Sequence, residues 1–113
     1  MHEMSIAEGI LDIALDSARE NDAAKITKVG LRIGEMAGIE LESLEMSWRM
    51  LIEGTMAEDA ELAVEKVPLI GRCSKCGREY HIENYDFWCP ECKDGVLVIQ
   101  SGREMQVAYI DMD

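Results

Sequence analysis

From Ile6 to Ser17 apolar and small residues return at helical spacing. Ile6, Ile10, Ile13, Ala14 and Ser17 fall on one face, with Asp12, Asp16 and Arg19 elsewhere. Ser5-Ile6-Ala7-Glu8 has the S-x-x-E form of a capping box, which places the helix start at Ser5, and the helix should end near Glu20, before Asn21-Asp22. The period then changes. Between Lys25 and Glu35 the residues Val29, Leu31 and Ile33 alternate with Lys28, Gly30 and Arg32, the pattern of a half-buried strand. Residues 34–38 turn the chain. A second helix follows from Leu41 to Glu53, with Leu41, Leu44, Trp48 and Leu51 as its stripe and Gly54 as its stop. Ala60 to Leu69 reads as one strand ended by Pro68. Val96–Gln100 and Met105–Ile110 are short β-like runs separated by Ser101-Gly102, and the second is suited to returning to the first domain's sheet. The fold class is α+β: a small antiparallel sheet carrying two helices, built from residues 1–69 with 96–113, and an inserted cysteine-bearing subdomain over residues 70–95. There is no internal repeat and no low-complexity segment.

Composition narrows the setting. A chain of 113 residues has room for one domain and a small appendage, and its 48% apolar content is that of a globular protein. Charges interrupt every long apolar run, so no membrane span is available. The N-terminus does not read as a signal peptide, which makes a cytoplasmic protein the expectation. In that compartment four cysteines hold a metal more readily than they form disulfides. Eleven basic residues against 23 acidic ones give a net charge of −12. Such a surface repels phosphate backbones, which argues against nucleic acid as a partner. It suits solubility and association with cations or basic partners, and a solvated acidic surface accounts for most of the charge.

Cys73-Ser74-Lys75-Cys76 and Cys89-Pro90-Glu91-Cys92 are two C-x-x-C pairs separated by twelve residues. Each pair forms a tight knuckle that points two thiolates at one ion, and two knuckles complete a tetrahedron around zinc. Gly77 stands just after the first knuckle, where a positive φ is useful. Four thiolates leave no position for water or substrate, so the site is structural rather than catalytic. A redox C-x-x-C needs one pair and a helix N-terminus. An iron–sulfur centre is an alternative in principle, although the spacing is that of a zinc ribbon. With four cysteines present His81 is not needed as a ligand and reads as a solvated histidine. Tyr80, Tyr85, Phe87 and Trp88 are expected to pack over the cluster and exclude water.

The chain opens Met1-His2-Glu3. Methionine aminopeptidases favour small second residues, so His2 should leave Met1 in place with a free α-amine. The Met1 amine, the His2 main-chain amide and the His2 imidazole then form fused chelate rings suited to Ni(II) or Cu(II), and Glu3 adds an oxygen or a further amide. An amine titrating near pH ~8 and an imidazole near ~6.5 make such binding pH-sensitive.

Taken together, these features resemble the hydrogenase maturation factors HypA and HybF. The resemblance rests on the Met-His-Glu start, the helix beginning Ser5-Ile6, the run Leu31-Arg32-Ile33-Gly34-Glu35, the stretch from Gly54-Thr55 to Ala60, and the paired C-x-x-C ribbon, and it covers essentially the whole chain. It implies a nickel metallochaperone, not an enzyme. It also implies a nickel site of Met1, His2 and Glu3, with Glu40 at the position of an acidic residue near the start of the second helix. A structural zinc at Cys73, Cys76, Cys89 and Cys92 completes the implied metal set. Gly77 and Lys93 stand where some relatives have histidine after a C-x-x-C pair. The partners implied are the GTPase HypB, the large subunit of [NiFe]-hydrogenase and, for some members, urease maturation proteins. The competing reading from the residues is a zinc-ribbon interaction scaffold that carries no transferable metal.

Overall fold

The computed structural model describes residues 3–113. In chain order the elements are α1 (Glu3–Glu20), β1 (Ile26–Gly34), α2 (Leu41–Ile52), β2 (Glu61–Val67), β3 (Ile70–Cys73), β4 (Glu79–His81), β5 (Leu97–Ser101) and β6 (Met105–Met112). They form two compact units. The first takes the segments up to Arg32, Gly38–Glu65 and Gln106–Asp113, and the second takes Ile33–Ala37 and Lys66–Met105.

In the first unit α1 and α2 pack against each other. The strand order is β2-β1-β6. Reciprocal main-chain bonds between Lys25 and Asp113 at one end of β1, and a bond from Gly34 N–H to Glu104 C=O at the other, show that β6 runs antiparallel to β1. β2 is reached through α2, and the ion pairs Lys28–Glu61 and Arg32–Glu65 climb both strands in the same order. A helical crossover is the usual way to bring two such strands side by side in one direction. Val29, Leu31 and Ile33 turn into the core as their alternation predicts.

Both helices depart in detail from the sequence expectation. α1 begins by Glu3, so Ser5 lies inside the first turn and the capping-box start at Ser5 is incorrect. The buried stripe is Ala7, Ile10, Leu11, Ala14 and Ala18, while Ile13 is 52% exposed. The alanines let the helix approach its neighbours closely, and that steric demand overrides the choice of the largest apolar residues for the inner face. On α2 the buried residues are Leu44, Trp48 and Ile52. Trp48 is buried with its indole N–H donating to the Ala60 carbonyl at 3.2 Å, so its polar edge is satisfied.

In the second unit β3 is the central strand of a β4-β3-β5 sheet, antiparallel on both sides. The run expected as one strand from Ala60 to Leu69 is therefore a strand that ends at Val67, followed after Pro68 and Leu69 by a new strand in a different sheet. Proline cannot donate to a ladder, which explains the break. The buried core is small: Leu69, Cys73, Ile82, Cys89 and Leu97, with Met36, Tyr80, Phe87, Cys92 and Ile99 packed against it.

Gly30 stands mid-strand in β1 because the Tyr109 ring of β6 lies over it; a Cβ there would come within 2.0 Å of the ring. We expect Gly30→Val to displace Tyr109 and destabilise this unit by roughly 1–3 kcal/mol, the usual range for overpacking. Urea denaturation of the variant beside the native chain measures it; unchanged stability would show that the ring is free to swing away.

Candidate metal centre

The second unit converges on its sulfurs. β3 ends at Cys73, and the chain reverses through the first knuckle with Gly77 N–H donating to the Cys73 carbonyl at 3.0 Å. The second knuckle repeats the turn, with Lys93 N–H donating to the Cys89 carbonyl at 2.8 Å. Gly77 has φ +74°, as its position predicts, and Lys93 takes the equivalent left-handed conformation at φ 62°. A lysine there costs on the order of 1 kcal/mol relative to glycine.

The four Sγ atoms all lie within 4.8 Å of one another. Cys73 and Cys92 Sγ are 3.9 Å apart, and Cys76 and Cys89 Sγ are 3.8 Å apart. Metal–sulfur bonds of about 2.3 Å in a regular tetrahedron give sulfur–sulfur edges of about 3.8 Å, so the arrangement fits a tetrahedral ion such as zinc. Main-chain N–H groups are aimed at the sulfurs: Lys75 and Cys76 at Cys73, and Cys92 at Cys89, each at 3.4 Å. The N–H of Cys76, then that of Lys75, draws the Cys73 thiol down to about 6, in spite of its burial. The N–H of Cys92 likewise lowers Cys89. Burial and the surrounding sulfurs push Cys92 up to about 12, so an ion that binds all four as thiolates must displace its proton.

Several neighbours hold this geometry. Gly95 lies against the cluster, where a Cβ would meet Cys73 Sγ at 2.6 Å. No sequence signal marks that constraint. Lys75 Nζ reaches Asp94 Oδ2 at 2.6 Å. Of the four aromatic residues expected to cover the cluster, Tyr80 and Phe87 do so. Tyr85 and Trp88 do not; they are 72% and 56% exposed. The main chain of Trp88 forms an isolated antiparallel bridge with Val96, and its ring is left exposed.

His81 is no ligand, and it is more than a solvated histidine. Its Nε2 lies 2.8 Å from Glu35 Oε1 and its Nδ1 3.5 Å from Glu83 Oε1. The same Glu35 oxygen accepts the Leu69 N–H at 2.9 Å. The Leu69 bond, and then His81, hold the Glu35 carboxyl below its usual value, while the Glu35 bond raises His81.

Of the expected nickel ligands, Met1 and His2 lie outside the described residues. Glu3 and Glu40 are brought together in the first unit, where the Glu40 N–H donates to Glu3 Oε2 at 3.2 Å. Glu40 is the N-cap residue of α2 and makes no side-chain cap bond. The Glu3 carboxylate thus lies at the positive end of that helix.

A family model described as hydrogenase/urease nickel incorporation, metallochaperone, hypA, matches residues 1–112. The hydrogenase maturation factor HypA of Chlorobaculum tepidum is 41% identical over 107 residues, covering 95% of each chain. Those of Aquifex aeolicus and Rhodobacter capsulatus are 39% and 38% identical, covering 98% or more of each chain. Among solved structures, that of the Ni metallochaperone HypA from Helicobacter pylori aligns over 99% of this chain and 97% of its own, with a TM-score of 0.69 at 23% identity, a likeness of fold. A further solution structure of HypA protein aligns with a TM-score of 0.73, also at 23% identity.

Replacing Cys73 or Cys92 by serine should reduce zinc from one ion per chain to well below that and unfold the second unit, because binding energy there is folding energy. Elemental analysis with circular dichroism reads both; a variant that keeps full zinc and an unchanged spectrum overturns the four-ligand assignment.

The His81–Glu35 pair has its own pH signature. A raised His81 pKa stabilises fully below about 6.5, and that contribution is lost as pH rises through the folded value. A lowered Glu35 pKa stabilises above about 4.3, and that contribution is lost as pH falls through the folded value. With metal-loaded protein, the native chain should therefore exceed His81→Gln in melting temperature by more at pH ~6 than at pH ~8. An equal or reversed gap would show that the pair adds nothing.

Proposed function

Because the chain belongs to the HypA family of hydrogenase and urease nickel-incorporation metallochaperones, we propose that it binds Ni(II) at its N-terminus and delivers it to the large subunit of a [NiFe]-hydrogenase. The ligands in this reading are the Met1 amine, the His2 main-chain amide and imidazole, and Glu3, with Glu40 beside them. One observation carries it: the bond from Glu40 N–H to Glu3 Oε2 anchors the residue next to His2 at the start of α2. A free terminus frays, and a terminal chelate gains from such an anchor. Without it, nickel binding would have to order the segment as well as fill the coordination sphere.

The family's role is carriage rather than catalysis, and the chemistry of the proposed ligands suits a carrier. Nitrogen donors in a near-planar set select Ni(II) over zinc, and an accessible terminus permits ligand exchange with an acceptor. The four cysteines, in this reading, hold a resident structural Zn(II) that does not exchange with the cargo. Softness and geometry send each metal to its own unit. The GTPase HypB is the proposed partner in transfer, urease maturation proteins are further candidates, and the setting is the cytoplasm. None of the helices among the described residues is long and apolar enough to cross a membrane.

Nickel titration of zinc-loaded protein tests this. Native chain should bind one Ni(II), whereas His2→Ala, and a form with two extra residues ahead of Met1, should bind at least about tenfold more weakly, or ~1.4 kcal/mol. Equal binding by all three would sink the terminal site and favour a scaffold without transferable metal.

A further inference from the structure

β6 is an edge of the first unit's sheet, and no described strand lies beyond it. Exposed edges present unpaired N–H and C=O groups, and proteins commonly blunt them with charge, proline or bulges. The opposite edge, β2, follows that rule with Glu61, Glu65 and Lys66 in seven residues. β6 does not. Over Met105–Met112 it carries Asp111 as its one charge and has no proline or lysine. An edge guarded on one side of a sheet and open on the other is the arrangement expected where one edge is reserved for a partner.

A groove lies alongside this edge. It has a volume of about 520 Å³ and runs between α1 and β6, with Ile13 and Ser17 on the helical wall, Asn21 just past the helix end, and Val107, Ile110 and Met112 among its strand residues. Ile13, left outside the core stripe of α1, is part of this wall. Its exposed side chain thereby gains a use that the fold itself does not supply. Side chains of an added strand alternate, so every second one would point toward the helix and the groove.

Charge selects the occupant. The groove's lining carries no charge of its own, and the acidic residues stand next to it in sequence. Asp16 and Glu20 each lie three positions beyond a lining residue of α1, with Asp16 paired to Arg19. Asp111 falls between the lining residues Ile110 and Met112, and Asp113 follows the end of β6. A second copy of the chain would bring its own −12 against this rim. A basic segment would be drawn to it.

We propose that β6 and the α1–β6 groove accept an extended, basic segment of a partner protein as an added strand. Main-chain bonds to β6 supply affinity, alternate apolar side chains enter the groove beside Ile13, and Lys or Arg side chains meet the acidic rim. The proposal is independent of where nickel binds.

The test displays random eight-residue peptides and selects them on native, zinc-loaded chain. Enriched peptides should alternate Val or Ile with Lys or Arg and should bind at least tenfold more weakly to Ile13→Lys. N-methylation of alternate peptide amides should weaken them equally, and amide exchange should slow in β6 on binding. Failure to enrich any peptide, enrichment of sequences without basic residues, undiminished binding to Ile13→Lys, or protection confined to other strands would each overturn the proposal. So would sedimentation showing a native dimer that Ile13→Lys dissociates, because a second copy would then hold the edge. Circular dichroism of Ile13→Lys confirms that the exposed substitution leaves the fold in place.

Discussion

Four sulfur atoms within 4.8 Å of one another cannot all carry negative charge unless a cation lies among them. The second unit is organised around that constraint. Its apolar core has five buried side chains, two of which are cysteines, too few to hold a three-stranded sheet by burial alone. The sulfur cluster therefore replaces a core. The N–H groups of both knuckles, the close approach of Gly95 and the positive φ at Gly77 and Lys93 all converge on keeping the four donors at tetrahedral spacing.

The first unit follows ordinary packing rules, and its chemistry lies at its margins. Alanines on α1 bring the helix close, Trp48 fills the space between α2 and the Ala60 carbonyl, and Glu3 is tied to the main chain at the start of α2. A hydrogen bond from one main-chain N–H is modest in energy, but it fixes the position of an acidic side chain at a helix N-terminus, where negative charge is favoured.

Much of this was legible in the residues. The paired C-x-x-C spacing fixed which cysteines would meet, and the alternation of Val29, Leu31 and Ile33 fixed the inner face of β1. What escaped was set by close approach and by distant partners. Alanine and isoleucine compete for the inner face of α1, and the sequence does not say how near the neighbouring elements come. Pro68 marked the end of a strand, but nothing local announced that Ile70 would begin another in a different sheet. His81 read as solvated because Glu35, its partner, lies 46 residues away in sequence. Trp88 looked like cover for the cluster, yet it pairs through its main chain with Val96 and its ring stands more than half exposed. The asymmetry between the two edges of the first sheet was written in the residues of β2 and β6, but only the strand order shows that both are edges.

The placement of the two tryptophans gives the molecule an optical division of labour. Trp48 is 2% exposed in the first unit and Trp88 is 56% exposed in the second, and the chain has no third. A sheltered indole emits at shorter wavelength than one in water, so each unit carries its own colour. Loss of order around the sulfurs alone would register through one ring and leave the other's emission in place. The two halves of this protein report on themselves separately, with no label added.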